Sequence, residues 1–322
     1  MAETTPIHRA SRIFVAGHQG LLGSALLERL QAEGYPNVLT APRAALDLTD
    51  ARAVLAFLER ARPECVVLAA ARVGGILANR TRPAEFIHAN LMIQTSVLEA
   101  ARLTGVRRLL FFGCGCVYPR EAPQPMKEEF LFTGPVEPTS EPYAVAKLAG
   151  ITMCGAYARQ YGMRFQPLIP ASIYGPNDNF DLESSHVLAA LVRKFHEARR
   201  DGRPVTVWGT GAPRREFLYV DDLVDACLFL LTLDPDEADA VLGPPGSPLN
   251  VGTGHDIAIR DLALLIKEAT GFRGALEFDT AKPEGAPRKL LDSSRLARLG
   301  WKPRTSLEDG IRRTCEWYNR AR

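Results

Sequence analysis

A chain of 322 residues, 46% hydrophobic and 24% charged, has room for one large domain or two moderate ones with an ample core. Its net charge of +2 provides no broad field for nucleic acid or an anionic membrane, so an anionic small molecule would have to meet a local Arg/Lys cluster. Six scattered cysteines make no disulfide framework, the start "MAETTPIHRASR" does not read as a secretory leader, and runs such as "CVVLAAA" and "CLFLLTL" are too short to span a bilayer, so a reduced cytoplasmic protein is expected.

In chain order, "RIFVAG" (12–17) is an apolar run ending in glycine, followed by "GLLGSALLERLQAEG" with helical spacing. "NVLTA" reads as a second strand, "ARAVLAFLERAR" as a helix and "CVVLAAA" as a third strand. A long helix is predicted from about Pro83 to Leu103, and then "RRLLFFG" as a fourth strand. An irregular, proline-rich stretch (118–142) precedes the helical "YAVAKLAGITMCGAYARQYG" and the strand "RFQPLIP". Alternating helices and continuously apolar strands predict an α/β protein with a doubly wound parallel sheet of Rossmann type. Beyond about Ser172 the rhythm breaks into shorter elements and loops rich in Gly, Pro, Asn and Asp. A smaller, discontinuous C-terminal domain is therefore expected over the carboxyl ends of the strands. The predicted division gives 1–172 plus about 215–245 to the dinucleotide-binding domain, and about 173–214 plus 246–322 to the other. No internal repeat or low-complexity segment is present.

The first strand runs into "GHQGLLG", with Gly17, Gly20 and Gly23 at G-x-x-G-x-x-G spacing. Such glycines permit a tight turn, close approach of backbone to a pyrophosphate and tight helix packing, and the next helix offers its free N–H groups to the phosphates. At the end of the second strand, where a carboxylate would bond the ribose of NAD, stands Arg43 in "TAPRAALDL". A guanidinium there suits a 2′-phosphate, so NADP is the expected cofactor, although a solvated loop arginine would look the same. Asp47, a little further on, is placed to bond the adenine edge.

"EPYAVAKLAG" sets Tyr143 and Lys147 four residues apart, on one face of a helix. There the ammonium is expected to lower the phenol pKa and bond the cofactor ribose, while the phenol protonates a carbonyl oxygen as hydride reaches the carbon. Y-x-x-x-K alone is common; following the fourth strand of a dinucleotide fold it carries weight.

At these residues the chain resembles the extended short-chain dehydrogenase/reductases, and more narrowly the GDP-4-keto-6-deoxy-mannose epimerase/reductases. The resemblance runs nearly end to end, through "AARVGGILANRTRPAEF", "YGPNDNF", "SHVLAALVRKFHEA", "VWGTGAPRREFLYVDD", "NVGTG" and "KPEGAPRKLLDSSRLARLGW". It implies NADP-dependent 3,5-epimerisation and 4-keto reduction of GDP-4-keto-6-deoxy-D-mannose to GDP-L-fucose. A cysteine and a histidine exchange the protons beside the carbonyl, matching Cys116 in "CVYP" and His186 in "SHVLAAL". It also implies guanosine and diphosphate contacts at Lys194, Trp208, Arg215, Lys282, Arg288 and Lys289, and a homodimer joined through the helices near Pro83 and Tyr143.

The chain departs from the family pattern at four places. Cys114 stands where the dehydrogenase triad has Ser or Thr, Gly115 replaces a second hydroxyl, Gln19 takes the place of an arginine in bacterial members, and Ser172 that of an asparagine near the substrate. A thiol is a weaker donor than a hydroxyl, and losing one preorganised donor costs about 2.7–4 kcal/mol. An epimerase with little reductase activity, or a reductase for another nucleotide-linked 4-keto sugar, is therefore the alternative expectation. A binding protein without catalysis would not be expected to keep Tyr143 and Lys147. No second Cys/His pair accompanies "CGC", so no zinc site is expected, and a Cys114–Cys116 disulfide is expected only with strain, as a minor route to redox inactivation.

Overall fold

The computed structural model describes residues 6–282 and 284–321. Strand β1 (Ile13–Ala16) is buried along its whole length, and helix α1 (Leu21–Ala32) inserts Leu22, Leu26 and Leu30, spaced one turn apart, into the same core. Strand β2 (Val38–Leu39) is shorter than "NVLTA" suggests, because the chain leaves the sheet edge at once for the loop holding Arg43. Asp50 caps α2 (Ala51–Ala61) by accepting from the N–H groups of Arg52 and Ala53. Then come β3 (Cys65–Leu68), a short α3 (Ile76–Thr81) and the long α4 (Pro83–Leu103), which has proline at its first position. Strand β4 (Arg108–Phe112) leads through two short 3₁₀ turns and a third at Pro138–Ser140 into α5 (Glu141–Tyr161), which ends on left-handed Gly162. Helices α4 and α5 lie side by side, tied by Gln94 donating to the Ala146 carbonyl at 2.7 Å and the Tyr157 hydroxyl donating to Glu99 at 2.7 Å.

Strand β5 (Arg164–Pro170) completes the predicted series, and the sheet then gains a member that the sequence did not reveal. The order is β2-β1-β3-β4-β5-β9, all parallel, with β9 at Leu249–Val251. Three residues, "LNV", offer no periodicity to read, so this piece of the assumed second domain (246–322) belongs in space to the central sheet. Leu291, Leu296 and Trp301 likewise pack into the first core.

The second core is built from β6 (Ser172–Tyr174), α6 (Val187–Asp201), β7 (Val205–Trp208) and β8 (Arg214–Tyr219). After β8 the chain returns to the first unit as α7 (Val220–Thr232) and α8 (Pro235–Leu242). Following β9, strand β10 (Asp256–Ala258), helix α9 (Ile259–Ala269), β11 (Leu276–Asp279), β12 (Arg288–Lys289), the short α10 (Ser294–Arg298) and α11 (Leu307–Ala321) close the fold. Strand β8 lies between antiparallel β10 and parallel β12 and also pairs with β6, while β7 pairs with β11. Helices α6, α9 and α11 bury Phe195, Leu262 and Ile311 in this core. The carboxyl ends of the central strands open toward it, and the cleft between the two cores is where a ligand fits in such a sheet.

Candidate active site

A cavity of about 900 Å³ fills this cleft, and its wall runs from Gly17 and Arg43 through Cys116 and Tyr143 to Trp208 and Lys289. At one end is the glycine turn. Gly17 has φ +91°, and a Cβ there would lie 2.6 Å from the Ala70 nitrogen; a Cβ on Gly23 would lie 2.1 Å from the Gly17 carbonyl oxygen. Both are compelled by packing, and Gly23 itself sits behind the wall. Gly20 has room for a side chain but faces the cavity at the cap of α1, leaving the first N–H groups of the helix open to an anion. The buried Nδ1 of His18 beside them has no hydrogen-bond partner among the described residues. These features fit a dinucleotide's pyrophosphate.

Arg43 is exposed at the cavity rim. Asp47 is committed in part: one carboxylate oxygen accepts from the Thr49 N–H at 2.9 Å and hydroxyl at 2.8 Å, which holds its pKa below the usual carboxylate range. Its other oxygen is left for a ligand. Gln19 is exposed on the same rim.

In the middle, α5 presents Tyr143 in its first turn and Lys147 in its second. The Tyr143 ring packs edge-on against Phe86 of α4, centroids 6.4 Å apart. Gly150, a turn further, has no room for a Cβ against the Phe111 ring, and the ring thus seated lies 4.8 Å below the Lys147 ammonium. Lys147 is 3% exposed, and burial draws its pKa down to about 8. The expected lowering of the tyrosine is not found: burial raises the Tyr143 pKa, and the ammonium, 5.9 Å from the ring centroid, does not offset it. The phenol is thus protonated across the neutral range, the state a proton donor needs.

Strand β4 delivers the cysteines. Gly113 donates to the Leu168 carbonyl at 2.8 Å, Cys114 is extended (φ −164°, ψ 161°), and a 3₁₀ turn at Gly115–Val117 swings Cys116 back toward it. Both cysteines are half-buried on the cavity wall with their sulfurs paired, and their Cα atoms are 5.4 Å apart, inside the range of bridged pairs. The short spacing therefore does not keep the two residues out of reach. No cluster of three or more His, Cys, Asp or Glu suited to a metal occurs among the described residues.

His186 stands just before α6, with no capping bond from its side chain. It faces the cavity lumen while protein walls it in, and this desolvation, helped by the Lys289 charge, lowers its pKa. The segment is held by the "VGG" loop: Gly75 donates to the Ser184 carbonyl at 2.8 Å, and a Cβ on Gly75 would strike the Ser185 carbonyl at 2.6 Å. Ser172, exposed at the start of β6, borders the same space.

At the far end, Trp208 closes β7. The Lys194 and Lys282 ammonium groups each lie 5.5 Å from its ring centroid, and Lys194 also donates to the Thr206 carbonyl at 2.8 Å. Lys282 is exposed and outside the cavity lining. Strand β12 separates its two cations by strand alternation. Lys289 turns into the cavity, where burial and the neighbouring Arg215 pull its pKa down to about 8, whereas Arg288 is exposed and pairs with Asp256. Arg215 is held by its own chain, donating to the carbonyls of Arg214 at 2.8 Å and Glu284 at 3.3 Å.

Three wall residues went unread in the sequence. Glu137 is 4% exposed, bonded to Thr139 and 3.3 Å from Arg120. Asp178 has its pKa lifted to about 7 by burial. Glu284 bonds the Thr210 N–H and hydroxyl. All three sit in loops, where a lone acid has no periodicity to mark it.

Residues 13–243 match the model of the NAD dependent epimerase/dehydratase family. The chain belongs to that family. It is 51% identical over 311 residues, 96% of this chain and 94% of the relative, to GDP-L-fucose synthase 1 of Arabidopsis thaliana. Among solved structures it is similar to a GDP-6-OMe-4-keto-L-xylo-heptose reductase from C. jejuni, with TM-score 0.93 and 36% identity, covering 98% of this chain and 100% of that one. It is also similar to a GDP-L-fucose synthetase from Naegleria fowleri bound to NADP, with TM-score 0.86 and 27% identity, covering 98% and 97%.

Proposed function

We propose that this member of the NAD dependent epimerase/dehydratase family is an NADP-dependent 3,5-epimerase and 4-reductase, converting GDP-4-keto-6-deoxy-D-mannose to GDP-L-fucose. The observation that carries the reading is one cavity lined by the glycine turn, by Tyr143, Lys147, Cys116 and His186, and by Trp208 with the Lys194 ammonium over its ring. The relatives named above support the same substrate class and cofactor.

In a 4-keto sugar the hydrogens on C3 and C5 are acidic, since loss of either gives an enolate whose charge rests on the C4 oxygen. Cys116 and His186 are proposed to take a proton from one face and return one to the other. The lowered His186 pKa keeps the imidazole neutral near pH 7, so it offers both an N–H donor and a lone pair. A diphosphate on Lys289 and Arg215 would offset the charge that depresses it. Gly17, Gly20 and Arg43 would hold NADP, and Lys147 would bond its ribose; when bound, the reduced nicotinamide supplies hydride to C4. Tyr143 then gives its proton to the C4 oxygen, with the Cys114 thiol as a weak second donor. Trp208 would stack on guanine, and Lys194 and Lys282 would meet the nucleotide beside it. Ser172 would border the sugar.

We also propose a homodimer through α4 and α5, supported by Leu103, Val145 and Tyr161, each more than 40% exposed on those helices. Sedimentation as a monomer would contradict it. No helix among the described residues is long and apolar enough to cross a membrane. Cys65, Cys154, Cys227 and Cys315 are free thiols, which supports a proposed place in the reducing cytoplasm. The test of the reaction is one incubation with GDP-4-keto-6-deoxy-D-mannose and NADPH in deuterated water, read by NMR. Deuterium at C3 and C5 with C4 reduced in the fucose configuration is expected. Deuterium without reduction would restrict the enzyme to epimerisation, and neither would contradict this substrate.

A further inference from the structure

We infer that Cys114 and Cys116 are a reversible thiol-modification site inside the catalytic centre, a dithiol that a low-molecular-weight disulfide such as oxidised glutathione converts to an internal disulfide. Three observations carry this. The 3₁₀ turn at Gly115–Val117 brings the two Cα atoms to 5.4 Å, within reach of a bridge without rearrangement of β4. The pair lines the cavity, half-buried, and a Cβ on the intervening Gly115 would meet nothing within 4 Å, so the turn that carries the two thiols is not packed over by the protein at that point. The remaining cysteines contrast with it: Cys65, Cys154, Cys227 and Cys315 are buried, and burial pushes each thiol away from the reactive thiolate, Cys65 and Cys315 to about 12.

The chemistry balances with the disulfide R–S–S–R as oxidant. One protein thiol gives up its proton and attacks a sulfur of R–S–S–R; that S–S bond breaks, a mixed disulfide forms, and the leaving R–S⁻ takes the proton as R–SH. The second protein thiol gives up its proton and attacks the protein sulfur of the mixed disulfide, forming the Cys114–Cys116 bond and releasing the second R–S⁻, which takes that proton as R–SH. Two electrons pass from the protein to the reagent, and a reducing dithiol reverses both steps. The consequence for activity rests on the function proposed above: with its sulfur in the bridge, Cys116 exchanges no proton with the sugar.

Mass spectrometry of the native protein treated with oxidised glutathione tests the site independently of turnover. The expected product is a chain lighter by two hydrogens, the loss confined to the 114–116 peptide, while the four buried thiols are alkylated only after denaturation. In Cys114→Ser, and in Cys114→Ala as a second variant, the reaction is expected to stop at one glutathione on Cys116. Deuterium exchange into the keto-sugar should fall at least about 100-fold in the oxidised wild type and return with dithiothreitol. No modification, or a stable mixed disulfide in the wild type, would overturn the dithiol site. A closed bridge with exchange undiminished would confirm the site but remove Cys116 from the chemistry; a protein inactive on this sugar in every state would overturn the function while the mass change still decides the site.

Discussion

The two ends of the cavity are built differently. The cofactor end and Tyr143/Lys147 stand on β1, α1 and α5, where packing fixes each position: Gly17 against Ala70, Gly23 against Gly17, Gly150 against Phe111. The end proposed to take the sugar nucleotide is assembled from a 3₁₀ turn, a helix cap and two short strands, with Cys116, His186, Trp208 and Lys289 coming from separate stretches of chain. A regular scaffold holds a common cofactor rigidly. Loops and strand ends can vary the substrate without disturbing it. Substitutions at the first end should therefore alter one chemistry, and those at the second should alter recognition or proton exchange.

The largest effect is expected from His186→Asn or Cys116→Ala, each lowering deuterium exchange by roughly 10²–10⁴-fold with NADPH affinity unchanged, measured by NMR and fluorescence titration. Loss of cofactor binding in either would join the two ends and break the comparison. Lys289→Ala should weaken GDP binding by about ten- to a hundredfold, the scale of a hydrogen bond to a charged group, and calorimetry reads it directly. The sign with pH follows from the same residue. Its lowered pKa means that the charge is present below about pH 8 and lost above it, so GDP affinity should fall as pH rises through 8, and the variant should lack that dependence. Arg43→Ala is expected to have the smallest effect, roughly a tenfold loss of preference for NADPH over NADH in KM, because an exposed arginine pairs in high dielectric. An unchanged preference would make Arg43 a solvated loop residue.

How much was legible in the sequence follows the same division. β1 to β5 and the helices α1, α2, α4 and α5 announced themselves by period and by glycines and prolines at their ends, and Tyr143 and Lys147 by spacing on one of those helices, whereas the six-residue α3 was too short to read. Strand β9 did not, because three residues carry no pattern. Cys116, His186 and Lys289 were legible only through the family resemblance, since tertiary structure alone brings them together. Lys282 and Lys289 were equivalent in "KPEGAPRK"; in the structure Lys289, set apart from Arg288 by strand alternation on β12, lines the cavity, and Lys282 lies outside its lining. The tyrosine pKa was misjudged because spacing shows the lysine but not the burial, and burial dominates here.

The central claim is that one cavity holds two separable chemistries. It is tested most directly by giving Tyr143→Phe the keto-sugar and NADPH in deuterated water and reading C3, C4 and C5 by NMR. Deuterium at C3 and C5 with C4 still a ketone is the expected result. A sugar without deuterium, or one reduced at the wild-type rate, would contradict it.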